Sequence, residues 1–124
     1  MKLHHTSLAI SLAILTFFTA CNSWTEEEHA SFERGNELYI SQCISCHGPN
    51  GDGFNGAYPS LQKKEILAIH NQRAINLITN GSAFEGGMKP ISLSQEEITD
   101  VLNYINNAWE NDADFLTKET LPKL

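Results

Sequence analysis

Five residues constrain this chain more than any others: Cys43-Ile44-Ser45-Cys46-His47. Two thiols separated by two residues, with an imidazole directly after the second, form the pattern to which a c-type haem is attached. The spacing has a geometric reason. The thiols add across the vinyl groups on one side of a porphyrin, and the histidine is then placed under the iron as its proximal ligand. In so small a chain, the haem supplies much of the apolar core. Such a pair has two other uses. A thioredoxin-like redox pair needs a βαβ setting, whereas the flanks here are helical or glycine-rich, without an alternating strand pattern. A zinc site needs a fourth ligand and usually a second Cys or His pair at short spacing; His29 and His70 stand alone.

A second ligand to the same iron is expected from Met88. With the N-terminal segment removed, it is the only methionine left. It lies in Gly86-Gly87-Met88-Lys89-Pro90, where glycines let backbone approach a flat ring and proline fixes the following turn. Methionine used as core filler sits in apolar periodic segments, and this one does not. His70, His29 and Lys89 are the competing ligands; His/Met is the familiar pairing in cytochromes c.

The remaining pattern is helical. Ser94 and Glu97 form a capping box, opening a helix whose Ile98, Val101, Leu102 and Ile105 recur at i, i+3, i+4 and i+7, with Trp109 a further turn on. Gln72 to Thr79 reads as a middle helix stopped by Asn80-Gly81. Gly35 and Tyr39 share one face of an earlier helix. Asp112 to Leu124 shows no clear apolar stripe beyond Phe115 and Leu116 and is expected along the surface.

The formal charge of −7 argues against nucleic-acid binding, which needs a basic face. Lys2, His4 and His5 precede the apolar run Leu8 to Phe18. This run is shorter than the roughly 20 residues that span a bilayer, and it reads as the core of a secretory signal peptide. Phe18-Thr19-Ala20-Cys21 resembles the lipobox of bacterial lipoproteins, which implies cleavage before Cys21 and acylation of its thiol. The alternative is a free or disulfide-paired Cys21. The expected organisation is a signal peptide at 1–20, a solvated acidic leader at 21–30, a haem domain at 31–110 and a tail at 111–124.

From about Phe32 to Trp109 the chain resembles the class I c-type cytochromes, the small single-haem family. Phe32 to Cys43 resembles the N-terminal helix of that family, with a small residue and an aromatic four apart at Gly35 and Tyr39. Gly48-Pro49-Asn50-Gly51-Asp52-Gly53 resembles the loop after the haem histidine, and Ile78-Thr79-Asn80-Gly81 the end of the middle helix. Tyr58-Pro59-Ser60-Leu61 resembles the segment whose proline carbonyl accepts a hydrogen bond from the outer nitrogen of the proximal histidine. The resemblance implies an all-α fold of three main helices around one covalent haem c, with the Gly35 face crossing the last helix near Val101 and Tyr104. The signal-peptide pattern and the lipobox-like Phe18-Thr19-Ala20-Cys21 imply export to the periplasmic side of the cell envelope and a lipid tether to a membrane. With His47 and Met88 both expected on the iron, a one-electron carrier of a bacterial respiratory chain is expected rather than an enzyme. Its expected partners are redox proteins: a quinol-oxidising complex, a terminal oxidase or a nitrogen-oxide reductase. The alternative to a monomeric carrier is a haem subunit of a respiratory oxidoreductase complex. A haem sensor or peroxidase would require a labile Met88.

Overall fold

A computed structural model describes residues 24–54, 56–62, 71–83 and 86–121. The segment expected to be a signal peptide, Cys21 and His70 lie outside the described residues. Four helices are described: α1 (Glu26–Gln42), the one-turn α2 (Ile44–His47), α3 (Asn71–Asn80) and α4 (Gln95–Asn107). Among the described residues there is no strand, only an isolated antiparallel bridge between Phe54 and Tyr58. The fold is all-α, and no described helix is long and apolar enough to cross a membrane.

Helix α1 begins inside the stretch expected to be a solvated leader. The Thr25 hydroxyl accepts from the Glu28 amide at 3.2 Å, and the Glu28 carboxylate accepts from the Thr25 amide at 2.7 Å. This is a capping box, and Glu26 to Glu28 sit in the first turn, where the helix dipole favours carboxylates. Trp24 packs before the cap, its ring centroid 5.0 Å from Phe32 and 5.1 Å from Phe115. The sequence concealed this because the buried face of α1 is Ser31, Gly35 and Tyr39, which gives no apolar periodicity.

Helix α4 starts at the expected place, with the Ser94 hydroxyl on the Glu97 amide and the Glu97 carboxylate on the Ser94 amide. In both boxes the backbone hydrogen bond, and then the hydroxyl, holds the carboxyl below its ordinary pKa of 4.5. A carboxyl whose folded pKa is depressed contributes stability above its unfolded value and loses it as pH falls through the folded value. We expect far-UV circular dichroism to show the α1 and α4 ends fraying below about pH 4.5. Replacing both glutamates by glutamine, which keeps a cap without titrating, should flatten that part of the acid titration.

The two long helices cross where α1 has no side chain. A Cβ built on Gly35 would stand 2.0 Å from the Asp100 carbonyl oxygen and 2.7 Å from the Tyr104 Cβ. Around this contact runs a polar network. Buried Asp100 accepts from Ser31 Oγ at 2.7 Å and from Arg34 Nε at 2.7 Å, and Arg34 also reaches Glu27 at 3.1 Å. The Arg34 side chain is 43% exposed, so solvent screens its part of the pair. The cost of losing it comes chiefly from leaving the Asp100 carboxylate buried with one donor. Arg34→Ala is expected to destabilise by about 2 kcal/mol, below the 3–5 kcal/mol of a fully buried broken pair. Urea denaturation of the holoprotein, compared with Arg34→Lys, checks this.

The residues after α4 differ from expectation in two ways. The helix stops at Asn107, and Trp109 takes a left-handed φ of 58° instead of continuing the helical face. The tail also packs. Asn103 donates to the Leu116 carbonyl at 3.1 Å and accepts from the Leu116 amide at 2.7 Å, so its carboxamide pairs with the tail as a second strand of backbone would. Leu121 is 4% exposed and joins Ile98, Val101, Leu102 and Ile105 of α4, with Ile75 and Ile78 of α3, in the core. A tail held by one buried amide and single apolar residues leaves no periodic trace in the sequence.

Candidate functional site

The site is built at the far end of α1. Cys43 closes that helix and opens α2, which carries Cys46 and His47 at its end. The amides of Cys46 and His47 both bond back to the Cys43 carbonyl, at 3.1 and 2.9 Å, so the three side chains belong to one tightened turn. Both cysteines are free thiols and half-buried. Burial, with a smaller contribution from Cys46, pushes the Cys43 thiol up to about 11. A disulfide oxidoreductase needs the opposite shift, toward thiolate. Among the described residues no strand stands beside the pair, and the shift at Cys43 runs against the chemistry of a thioredoxin-like site. Among the described residues no three His, Cys, Asp or Glu side chains gather to hold a metal ion.

His47 is fixed by the loop that follows it. Its Nδ1 lies 3.0 Å from the Pro59 carbonyl oxygen, and its own carbonyl accepts from the Gly53 amide at 2.9 Å. An Nδ1–H donated to a carbonyl leaves the lone pair on Nε2, the tautomer a metal ligand requires. Gly53 makes this closure possible. Its φ is 74°, and a Cβ there would lie 2.2 Å from the Tyr58 carbonyl oxygen and 3.0 Å from that of Pro59. The glycine-rich loop is visible in the sequence, but this position is not distinguished within it; a positive-φ turn leaves no mark beyond the glycine itself. The loop is closed further by Leu61 N–H on the Gly51 carbonyl at 2.7 Å and by Gln62 on the Asn50 carbonyl. Tyr39 donates its hydroxyl to the Gly48 carbonyl at 2.7 Å, tying α1 to the residue after His47. The left-handed turn at Trp109 lays its indole against Gly51, where a Cβ would meet the ring at 2.3 Å.

Met88 is half-buried and packs against the same apolar cluster as Cys43, Ile44 and Leu61. Its carbonyl accepts from the Ser82 amide at 2.9 Å, and Ile91 N–H bonds the Ile78 carbonyl at 2.7 Å. The Met88 loop is thus pinned back onto the end of α3. Of the competing ligands, His29 stacks near Trp24 at a centroid distance of 5.1 Å, at the opposite end of α1 from Cys43. Fourteen residue steps separate them, about 21 Å along the axis, so His29 and His47 do not share a site. Lys89 is exposed beside Met88.

These residues fit a haem. A tautomer-fixed histidine follows two thiols on one turn, a thioether borders the same apolar cluster, and Phe54 and Tyr58 present large apolar faces beside the loop.

The fold and site define a small c-type cytochrome. The chain belongs to the family described as "Cytochrome C oxidase, cbb3-type, subunit III", whose pattern matches residues 30–105. It is similar to cytochrome c-552 of Thermus thermophilus, 35% identical over 89 residues that cover 60% of this chain and 67% of that protein. It is also similar to cytochrome c-551 of Bacillus subtilis, 31% identical over 91 residues, covering 65% and 78% of the two chains. The cytochrome c subunit of a quinone alcohol dehydrogenase from Gluconacetobacter polyoxogenes is 29% identical over 92 residues, covering 64% of this chain and 19% of that subunit. The chain therefore spans about a fifth of those dehydrogenase subunits. As a member of this family the protein carries one covalent haem c.

Proposed function

We propose that this protein is a membrane-tethered one-electron carrier of a bacterial respiratory chain, with haem thioethers at Cys43 and Cys46 and iron ligation by His47 and Met88. The haem, when bound, supplies one-electron exchange between ferrous and ferric iron. The observation that carries the reading is the 3.0 Å contact between His47 Nδ1 and the Pro59 carbonyl, which orients the ring and leaves Nε2 for the metal. Met88 contributes a soft thioether that favours the reduced state, raising the potential relative to a second histidine. If His47 and Met88 both hold the iron, no coordination position would remain for a substrate. Acylation of Cys21 confines the carrier to the membrane surface of the cell envelope, and the acidic charge selects partners with a basic docking patch. Mass spectrometry of the N-terminal peptide from membranes tests the acylation.

The ligand assignment is tested by the absorption spectrum of ferric holoprotein. Wild type is expected to show the weak methionine-sulfur-to-iron band and to bind carbon monoxide poorly when reduced. Met88→Ala should lose the band and bind carbon monoxide readily. An unchanged spectrum would remove Met88 from the iron. The similarity to a dehydrogenase cytochrome subunit and the family's description favour a second reading, a haem subunit held in a larger complex. Native electrophoresis of mildly solubilised membranes separates the two, since a free shuttle migrates alone.

A further inference from the structure

The packed domain begins much closer to Cys21 than an acidic leader would allow. Trp24 is held against Phe32, Phe115 and His29, and α1 is capped from Thr25 onward. Only Asn22 and Ser23 lie between Cys21 and Trp24. Three residue steps reach at most about 11 Å even when fully extended. An anchor at Cys21 is therefore not a flexible leash for the domain. Helix α1 then runs away from that point for 17 residues, about 25 Å, before it reaches Cys43 and the haem motif.

We infer that the domain stands end-on at the membrane, with the Trp24 end of α1 down and the Cys43–His47 end held on the order of 25 Å above the lipid. This rests on the proposed anchoring at Cys21. The charge distribution opposes the alternative of α1 lying flat. Glu26, Glu27, Glu33 and Glu37 are exposed along its length, and an anionic lipid surface repels them within a Debye length of about 8 Å. A carrier fixed in this way serves a redox partner whose own electron site stands at a similar height, on an extrinsic domain with a basic face. It does not reach a cofactor buried at the depth of the bilayer.

The geometry can be tested independently of whether cells acylate Cys21. In mature holoprotein the Cys21 thiol is coupled to a maleimide-bearing phospholipid in vesicles containing anionic lipid and a headgroup fluorophore that the haem quenches. Wild type is expected to quench weakly. A variant with about 15 Gly/Ser residues inserted after Ser23 gains a span of about 20 Å, so its domain can roll over; on neutral vesicles it should quench severalfold more. Equal quenching by the two proteins on neutral vesicles would overturn the end-on reading. On anionic vesicles, wild type should keep its weak quenching; strong quenching there would overturn the inference too. Absence of acyl chains on Cys21 in cells, by contrast, would count against the anchor alone.

Discussion

Gly35→Ala is expected to destabilise the holoprotein by about 3 kcal/mol or more, at the upper end of what overpacking costs. The sign is the informative part. In an exposed helix interior the same change stabilises by roughly 0.5–1 kcal/mol, because alanine loses less backbone freedom on folding. Here the new methyl would lie 2.0 Å from the backbone oxygen of Asp100 and 2.7 Å from its carbonyl carbon. No rotamer change relieves a clash with backbone, so α1 and α4 must separate. Separation also pulls Arg34 and Ser31 away from buried Asp100, stretching hydrogen bonds of 2.7 Å that satisfy its carboxylate. Thermal denaturation followed at the haem Soret band and by far-UV circular dichroism measures the loss. A variant as stable as wild type would show that the crossing is looser than described.

Cys43→Ala/Cys46→Ala is expected to abolish covalent haem and, with it, the cooperative unfolding transition. A single apolar core in a domain this small rarely supplies more than about 3–5 kcal/mol. The buried apolar residues are few, chiefly those of α3 and α4 with Tyr39 and Leu121. Cys43, Leu61 and Met88 are only half-buried, and each borders that cluster. On the proposed assignment the cofactor would cover their remaining surface, so the chain without it is expected to be largely unfolded. Haem retained through acid-acetone extraction, or a melt as sharp as wild type, would contradict this.

How much of this could be read beforehand depended on whether the controlling physics is local. The capping box at Ser94 and Glu97 and the apolar stripe through Ile105 are local, and α4 begins where they place it. The same is true of α3, which extends one residue beyond the expected span at each end. Helix α1 was half concealed. Its Thr25–Glu28 box was present in the sequence, yet its inner face is small and polar because it abuts another helix backbone. The tail was concealed for a related reason: Asn103 holds Leu116 through two hydrogen bonds, and one asparagine gives no pattern.

At the site, the order of residues points to the chemistry. Two thiols and an imidazole within five positions match the spacing of one kind of cofactor attachment, and the flanks supply neither the strands of a redox pair nor the further ligands of a zinc site. Tertiary structure decided what the five residues could not. The carbonyl that lies 3.0 Å from His47 Nδ1 comes from twelve residues away, through a loop that closes only because Gly53 has no Cβ. The indole that covers Gly51 comes from Trp109, turned there by a left-handed residue after α4 has ended. Covalent spacing along the chain fixes which groups are available. Their orientation depends on backbone contacts between distant segments, and those contacts form only when the whole domain folds.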